Sequence, residues 1–379
     1  MYIDVVDFIR NQFSTKEFIP LHSPSFKGRE RELVLDAIDS TYVSSVGEYV
    51  NRAEGLMTEI VGCTGAVAVV NGTSGLQVAL RLAGVKTGEL VITQALSFVA
   101  TSNAITYLGA EPVYLDVDFD TMGLSANAVR AYLEEYAELR THGAYHKQTG
   151  KKISACVPMH TFGFPVELDS LISVCEEWRI PIIEDAAESL GSYYKGRHTG
   201  TFGRMGVFSF NGNKIVTCGG GGMVVSNEFE LIKQGKHLTT TAKVPHPYEY
   251  VHDEIGYNFR LPNLNASLLC AQLERLEIFL ASKRNLAIEY AKFFEQIGMN
   301  FRQEKDGTEA NYWLMCVVLN SREERDIFLH ETNGAGIMTR PIWQLMYRLP
   351  MYNHCFRDDQ LNAEALESRL VNIPSSVRE

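Results

Sequence analysis

One lysine, Lys214, stands in a turn between two apolar β-type runs, a placement that suits covalent chemistry. In GVFSFNGNKIVTCGGGGMVVS (206–226), Val207, Phe208 and Phe210 favour a strand and Asn211, Gly212 and Asn213 favour a turn. Met223 to Val225 resume an extended run after four consecutive glycines. A lysine held at a strand end among apolar neighbours is desolvated, which disfavours the ammonium form, and the neutral amine is the form that attacks a carbonyl. Taken alone, the stretch equally describes a solvated turn lysine followed by a glycine linker. Other residues must decide.

Asn71-Gly72-Thr73-Ser74-Gly75 follows an apolar run ending at Val70 and opens a helical pattern. Free N–H groups and the positive end of a helix dipole would converge there, with Thr73 and Ser74 supplying hydroxyls and a cap, as a phosphate cup requires. A plain N-cap would have the same sequence, and neither a Walker lysine nor a dinucleotide glycine pattern is present. In IIEDAAE (182–188) two carboxylates stand where an apolar strand stops, and strand alternation should turn one into a cleft. An aspartate so placed can hold a protonated ring nitrogen by a charge-assisted hydrogen bond. Phe98, in ALSFVATSNAI, and His160, in PMHTFGF, also follow strand-like runs and offer faces on which a flat cofactor could stack. A core phenylalanine and a hydrogen-bonded structural histidine are the alternatives.

The supporting frame is large: 379 residues, 45% hydrophobic and 21% charged, which implies one large and one small domain with an ordinary globular core. No apolar run is long enough to span a bilayer, and MYIDVVDFIRNQF has neither a basic n-region nor a cleavage site, so a cytoplasmic location is expected. The seven cysteines include no CxxC pair, so neither a disulfide framework nor a metal site is indicated. A formal charge of −11 opposes general attraction to nucleic acid. An anionic ligand must therefore be gripped locally.

Seven apolar or β-branched runs recur, at 66–70, 90–93, 112–117, 153–159, 180–183, 207–210 and 223–225. Helical patterns at 75–82, 125–139 and 169–178 separate several of them, which predicts an α/β domain around a mixed, mostly parallel seven-stranded sheet. Its ligand site belongs at the carboxyl ends of the strands. After a polar stretch at 239–253, one long amphipathic pattern covers 266–294, then a strand 312–319 and a helix 322–332. The expected organisation is an N-terminal arm (1–20), a cofactor-binding large domain (21–255) and a smaller C-terminal α/β domain (256–379).

In this order the motifs resemble the DegT/DnrJ/EryC1/StrS family of nucleotide-sugar aminotransferases, which have fold type I and use pyridoxal 5′-phosphate. The resemblance runs from SPSFKGRERELVLDAIDSTYVSSVGEYVNRAE through VAVVNGTSGLQVALRLAGV, IPIIEDAAESLGSYYKGRHTGTFG and FSFNGNKIVTCGGGGMV to GYNFRLPNLNASLLCAQLERL and TRPIWQLMYRLPMY. It implies that Lys214 is the Schiff-base lysine, Asp185 the partner of the pyridine nitrogen and Phe98 the stacking aromatic, with His160 a further cofactor contact. Thr73, Ser74 and Ser209 would bind the cofactor phosphate, and Asn258 in GYNFR would reach the phosphate held by a partner subunit. That implies a homodimer with shared active sites. Where the family usually has Gln near the cofactor's 3-oxygen, this chain has Glu188.

The resemblance also implies ping-pong transfer of an amino group from L-glutamate to the keto carbon of a nucleotide-linked keto sugar, with Lys214 as the proton-transfer base. EDAAESLGS and NIPSSVRE look most like the LegC-like branch that aminates C-4 of UDP-linked 4-keto-6-deoxy-N-acetylglucosamine for nonulosonic-acid-type sugars or surface polysaccharide. Tyr312, Arg340 and Trp343 are candidate substrate-pocket residues. The alternatives are a 3- or 4-aminotransferase acting on a dTDP- or GDP-linked sugar, and a sugar dehydratase on the same scaffold. Related dehydratases replace the lysine with histidine, so Lys214 favours transamination. A noncatalytic regulator on this fold would lack Lys214 or Asp185.

Overall fold

The computed structural model describes residues 2–378. At its centre lie β1 (Gly65–Val69), β2 (Leu90–Gln94), β3 (Glu111–Leu115), β4 (Lys152–Val157), β5 (Ile183–Asp185), β6 (Met205–Ser209) and β7 (Gly222–Ser226). Each apolar run read from the sequence overlaps one of them. Their spatial order is β1-β7-β6-β5-β4-β2-β3, with β7 antiparallel to both its neighbours and the other pairings parallel. Between β4 and β5 the ladder consists of two parallel bridges, Cys156 to Ile182 and Met159 to Asp185. The chain thus adopts the fold type I α/β architecture.

A mostly parallel sheet needs covering on both faces, and strand alternation supplies the apolar groups for each. On β2, Ile92 belongs to a layer with Val113, Val129, Leu133 and Leu171, while Val91 belongs to another with Ile105, Val157 and Val224. Helices Ala126–Tyr136 and Leu168–Glu177 supply the first layer, and Gly72–Leu82, Val99–Tyr107 and Phe229–Thr239 supply the second. Val91 and Ile92 are fully buried, each worth about 1.5–3 kcal/mol.

Two elements differ from the sequence expectation. The helix expected to reach residue 139 stops at Tyr136, and Ala137–Arg140 pairs with Gly143–His146, which pairs in turn with the start of β4. Helix formers are drawn into a strand because the sheet edge offers ladder partners, and tertiary pairing overrides local propensity. The long pattern over 266–294 is two helices, Asn263–Leu273 and Leu276–Gln296, broken at Glu274 and Arg275. The first packs against helices Glu30–Asp39 and Glu48–Val61, and the second runs along the C-terminal sheet, so one straight helix could not serve both.

That C-terminal sheet is antiparallel, in the order Asn300–Phe301, Met315–Val318, Leu370–Ile373, Arg340–Pro341. Residues read as an arm include a helix, Ile3–Phe13, whose Phe8 stacks on Phe293 at 4.0 Å between ring centres. Thr308–Glu309 pairs with Tyr193–Tyr194, so C-terminal elements cross back to the cleft side of the large sheet. All seven cysteines are unpaired, and six are buried. Among the described residues, no helix is long and apolar enough to cross a membrane.

Candidate active site

The ends of β1, β5 and β6 meet the N-terminus of helix Gly72–Leu82 around a cavity of about 400 Å³. Seven residues singled out from the sequence line it: Thr73, Phe98, Asp185, Glu188, Ser209, Lys214 and Trp343. The register explains the convergence, because Asp185 pairs with Val207 of β6 on one side and bridges to Met159 on the other.

At the cup, Asn71 is extended and its Oδ1 accepts the Ser74 N–H at 2.8 Å. Asn71 is therefore the helix cap, a role expected of Thr73 or Ser74. The first-turn N–H groups of Gly72 and Thr73 have no helical carbonyl to bond, and with the Ser209 hydroxyl they form one polar end of the cavity. Ser74 is buried in that turn and lies outside the lining. Close packing demands glycine here: a Cβ on Gly72 would come within 3.0 Å of Ser209 Cβ, and one on Gly222 within 2.6 Å of the Asn71 backbone.

Lys214 N–H closes a turn onto the Asn211 carbonyl at 2.9 Å, and the side chain is 13% exposed. Its Nζ lies 3.2 Å from Glu188 Oε1 and 3.9 Å from the centre of the Trp313 ring. The neighbourhood expected to be apolar thus includes a carboxylate and an indole face. Glu188 Oε2 accepts the Phe162 N–H at 2.8 Å. Burial raises the Glu188 pKa, although the Lys214 charge and the Phe162 N–H oppose that.

Asp185 is buried at the cavity wall, where Oδ2 accepts from the Thr101 hydroxyl at 2.6 Å and Oδ1 from Ala187 N–H at 3.1 Å. Burial raises its pKa, against these hydrogen bonds and the Lys214 charge. Its neighbour Glu184 faces away from the cavity and accepts from Gly200, Phe202 and Gly203 N–H at 2.6–2.7 Å. His160 belongs with Glu184. It is fully buried behind the cavity wall, with Nε2 3.0 Å from Glu184 Oε2 and Nδ1 accepting Val166 N–H at 3.2 Å. His160, expected as a cofactor contact, is therefore not among the residues that line the cavity, and both its ring nitrogens are engaged inside the protein.

Of the three candidate substrate residues, only Trp343 lines the cavity, its ring 6.2 Å from that of Phe98. Tyr312 lies elsewhere because its backbone is left-handed, at φ +51°. Its ring packs on Phe164 and its hydroxyl accepts Glu304 N–H at 3.2 Å. Arg340 is exposed and outside the lining, near Asn333 and the Thr339 carbonyl. Asn258 is exposed and outside the lining as well. The residue the sequence did not single out is Trp313, which the turn at Tyr312 delivers to the cavity. Trp313 N–H donates to Asn311 Oδ1 at 2.8 Å and Nε1–H to the Asn213 carbonyl at 2.7 Å. Thr101 was also missed, because only the fold brings it to Asp185.

A lysine, a buried aspartate and a helix N-terminus thus surround one cleft of a fold type I chain. The chain belongs to the DegT/DnrJ/EryC1/StrS aminotransferase family, whose model matches residues 24–378. It is similar to EpsN of Bacillus subtilis (strain 168), provisionally named a pyridoxal phosphate-dependent aminotransferase. The two are 35% identical over 94% of this chain and 90% of EpsN. Similarity to the GDP-perosamine synthase of Escherichia coli O157:H7 is 33% over 95% of this chain and 93% of that one. Among solved structures, the aminotransferase TlmJ from Streptoalloteichus hindustanus superposes with a TM-score of 0.85 at 25% identity, over 94% and 93% of the two chains.

The chain is an aminotransferase, and pyridoxal 5′-phosphate is its cofactor. The residues fit that group. Gly72 leaves room at the cup, Asp185 supplies a buried acceptor, and Phe98, 51% exposed at the helix start, presents a ring face.

Proposed function

We propose that this enzyme transfers the amino group of L-glutamate to the keto carbon of a nucleotide-linked 4-keto-6-deoxy sugar. The observation that carries the reading is that Lys214 and Asp185 face one cavity whose far end is a helix N-terminus. Thr73 and Ser209, with the N–H groups of the first turn, would hold the cofactor phosphate, and Asp185 the ring nitrogen. Phe98 would cover the ring face. When bound, pyridoxal phosphate supplies an aldehyde that takes up the amino group and a ring that accepts electron density from the donor's α-carbon.

Lys214 Nζ would be the base that takes the proton from the donor's α-carbon, and in the second half-reaction the group that delivers one to the sugar carbon. Glu188, 3.2 Å away, keeps the amine within the cleft and balances its charge. Trp313 and Trp343 close the cavity against water. Presence of Lys214 favours transamination over dehydration.

The working unit in this reading is a homodimer, in which Asn258 of one chain completes the phosphate site of the other. Tyr248, Tyr250 and Ile255, beside it in the chain, are 89%, 82% and 81% exposed, as apolar groups awaiting a partner would be. The division near residue 255 into a cofactor-holding part and a smaller C-terminal part belongs to the same reading. For the nucleotide, EDAAESLGS and NIPSSVRE favour UDP and N-acetylglucosamine, whereas the relatives named GDP-perosamine synthase favour GDP. Incubation with glutamate and a panel of UDP-, GDP- and dTDP-linked 4-keto sugars, followed by mass spectrometry and NMR, tests this. A 4-amino product from the UDP or GDP sugar supports it, and a deoxygenated or 3-amino product contradicts it.

A further inference from the structure

Lys283 is fully buried on helix Leu276–Gln296 and has no ion-pair partner among the described residues. Burying a lone ammonium is costly, and a methionine of similar length would fill the same space without that cost. What the amine does instead is specific. Nζ donates to three backbone carbonyls, those of Tyr312 at 3.3 Å, Trp313 at 3.1 Å and Ser375. Three acceptors match the three N–H donors of the charged form.

Those carbonyls belong to the segment that aims Trp313. Tyr312 holds the left-handed conformation that reverses the chain, an unfavourable one for a bulky residue. Ser375 also donates its hydroxyl to the Trp313 carbonyl at 2.9 Å, while its N–H donates to Leu21 O at 2.8 Å. The indole that results sits 3.9 Å from Lys214 Nζ. We propose that Lys283 is a positioning residue for amino transfer, clamping the Tyr312 and Trp313 carbonyls so that the Trp313 indole stays over the Lys214 amine. This rests on Lys214 being the reacting lysine.

The titratable groups facing the clamp are few. From the N-terminal segment comes His22, whose ring is buried beside the Asn213 backbone, with burial first and then the charges of Lys283 and Lys214 keeping its pKa well down. From the turn comes the Tyr312 phenol, pushed by burial up to about 12. Neither supplies a negative charge near neutrality. Burial draws the Lys283 pKa down to about 7, so a conservative variant that keeps the charge at every working pH is informative.

The test uses holoenzyme labelled with 5-fluorotryptophan, its three resonances assigned through single Trp→Phe variants. Lys283→Met should move or broaden the Trp313 resonance and leave that of Trp178 in place, with kcat down about tenfold and KM changed less than about twofold. Lys283→Arg, which keeps charge and donors, should restore the Trp313 resonance and most of kcat. In a Trp313→Phe background the Lys283→Met effect on kcat should vanish. An unmoved Trp313 resonance in Lys283→Met, or the same loss of kcat with and without Trp313, would overturn the proposal. If Lys283→Met does not fold, a Trp313 resonance displaced in Lys283→Arg with kcat unchanged, or kcat lowered with the Trp313 resonance in place, would overturn it instead. The fluorine spectra do not depend on which lysine bonds the cofactor, so failure of the clamp and failure of the Lys214 assignment are separable.

Discussion

Glu184 and Asp185 are adjacent on one strand end, both buried, and opposite in their surroundings. Behind the sheet, Glu184 collects three backbone N–H groups and His160. Burial alone would raise its pKa, but the His160 hydrogen bond and these N–H donors outweigh it and hold the pKa below the ordinary value. In front, Asp185 has one hydroxyl and one N–H, and burial wins, raising its pKa. Strand alternation makes the first carboxylate a structural anchor. It leaves the second under-satisfied, facing a cavity that a cationic ring nitrogen would complete.

The largest effect expected from breaking this contrast is at Asp185. Asp185→Asn should lower kcat by about three powers of ten, roughly 4 kcal/mol, while the phosphate cup still retains cofactor; steady-state kinetics and cofactor absorbance measure both. Near-normal turnover would mean that another group pairs with the ring. In cofactor-free protein near neutrality the same change should stabilise, by about 1 kcal/mol, because an ionised carboxylate with a raised pKa is a burden on the fold. The sign follows from linkage: between 3.8 and its raised value the folded state binds more protons than the unfolded, so stability falls as pH rises.

Glu184→Gln should do the reverse, costing about 3 kcal/mol in denaturant unfolding by leaving N–H donors without a charged acceptor, with kcat of the folded enzyme changed less than about tenfold. Because the folded pKa of Glu184 is lowered, its contribution is complete above about 4.5 and lost as pH falls below that; the Gln variant should lack this acid loss. A larger effect on kcat than on stability would place Glu184 in the chemistry.

The smallest effect belongs to Glu188→Gln, which keeps the Phe162 hydrogen bond but removes the charge facing Lys214. We expect kcat/KM to change by less than about tenfold, and the acid limb that Glu188 imposes above the ordinary glutamate range to flatten. An unchanged pH profile would separate Glu188 from the proton traffic of Lys214.

The seven strands and the stretches that bring Lys214 and Asp185 to one cavity were legible because each is contiguous: apolar runs ended by turn formers, a lysine in one such turn, two carboxylates at one strand end. Strand periodicity said that one carboxylate faces the cleft without saying which. Trp313 was not legible, since a left-handed Tyr312 breaks the alternation that would have placed the tyrosine in the pocket. Thr101 reaches Asp185 across 84 positions of sequence, and the hairpin at 137–146 forms against the sheet edge, so both depend on tertiary contact. His160 follows a strand end as Phe98 does. Only its hydrogen bonds to Glu184 and Val166 show that it points inward.

In the proposed reaction Lys214 bonds the cofactor and Asp185 holds its ring nitrogen. Borohydride reduction of the purified holoenzyme, followed by proteolysis and peptide mass mapping, should place the reduced cofactor on Lys214, and Lys214→Ala should yield no stable adduct. A reduced adduct on any other lysine of the unmodified chain would contradict the account.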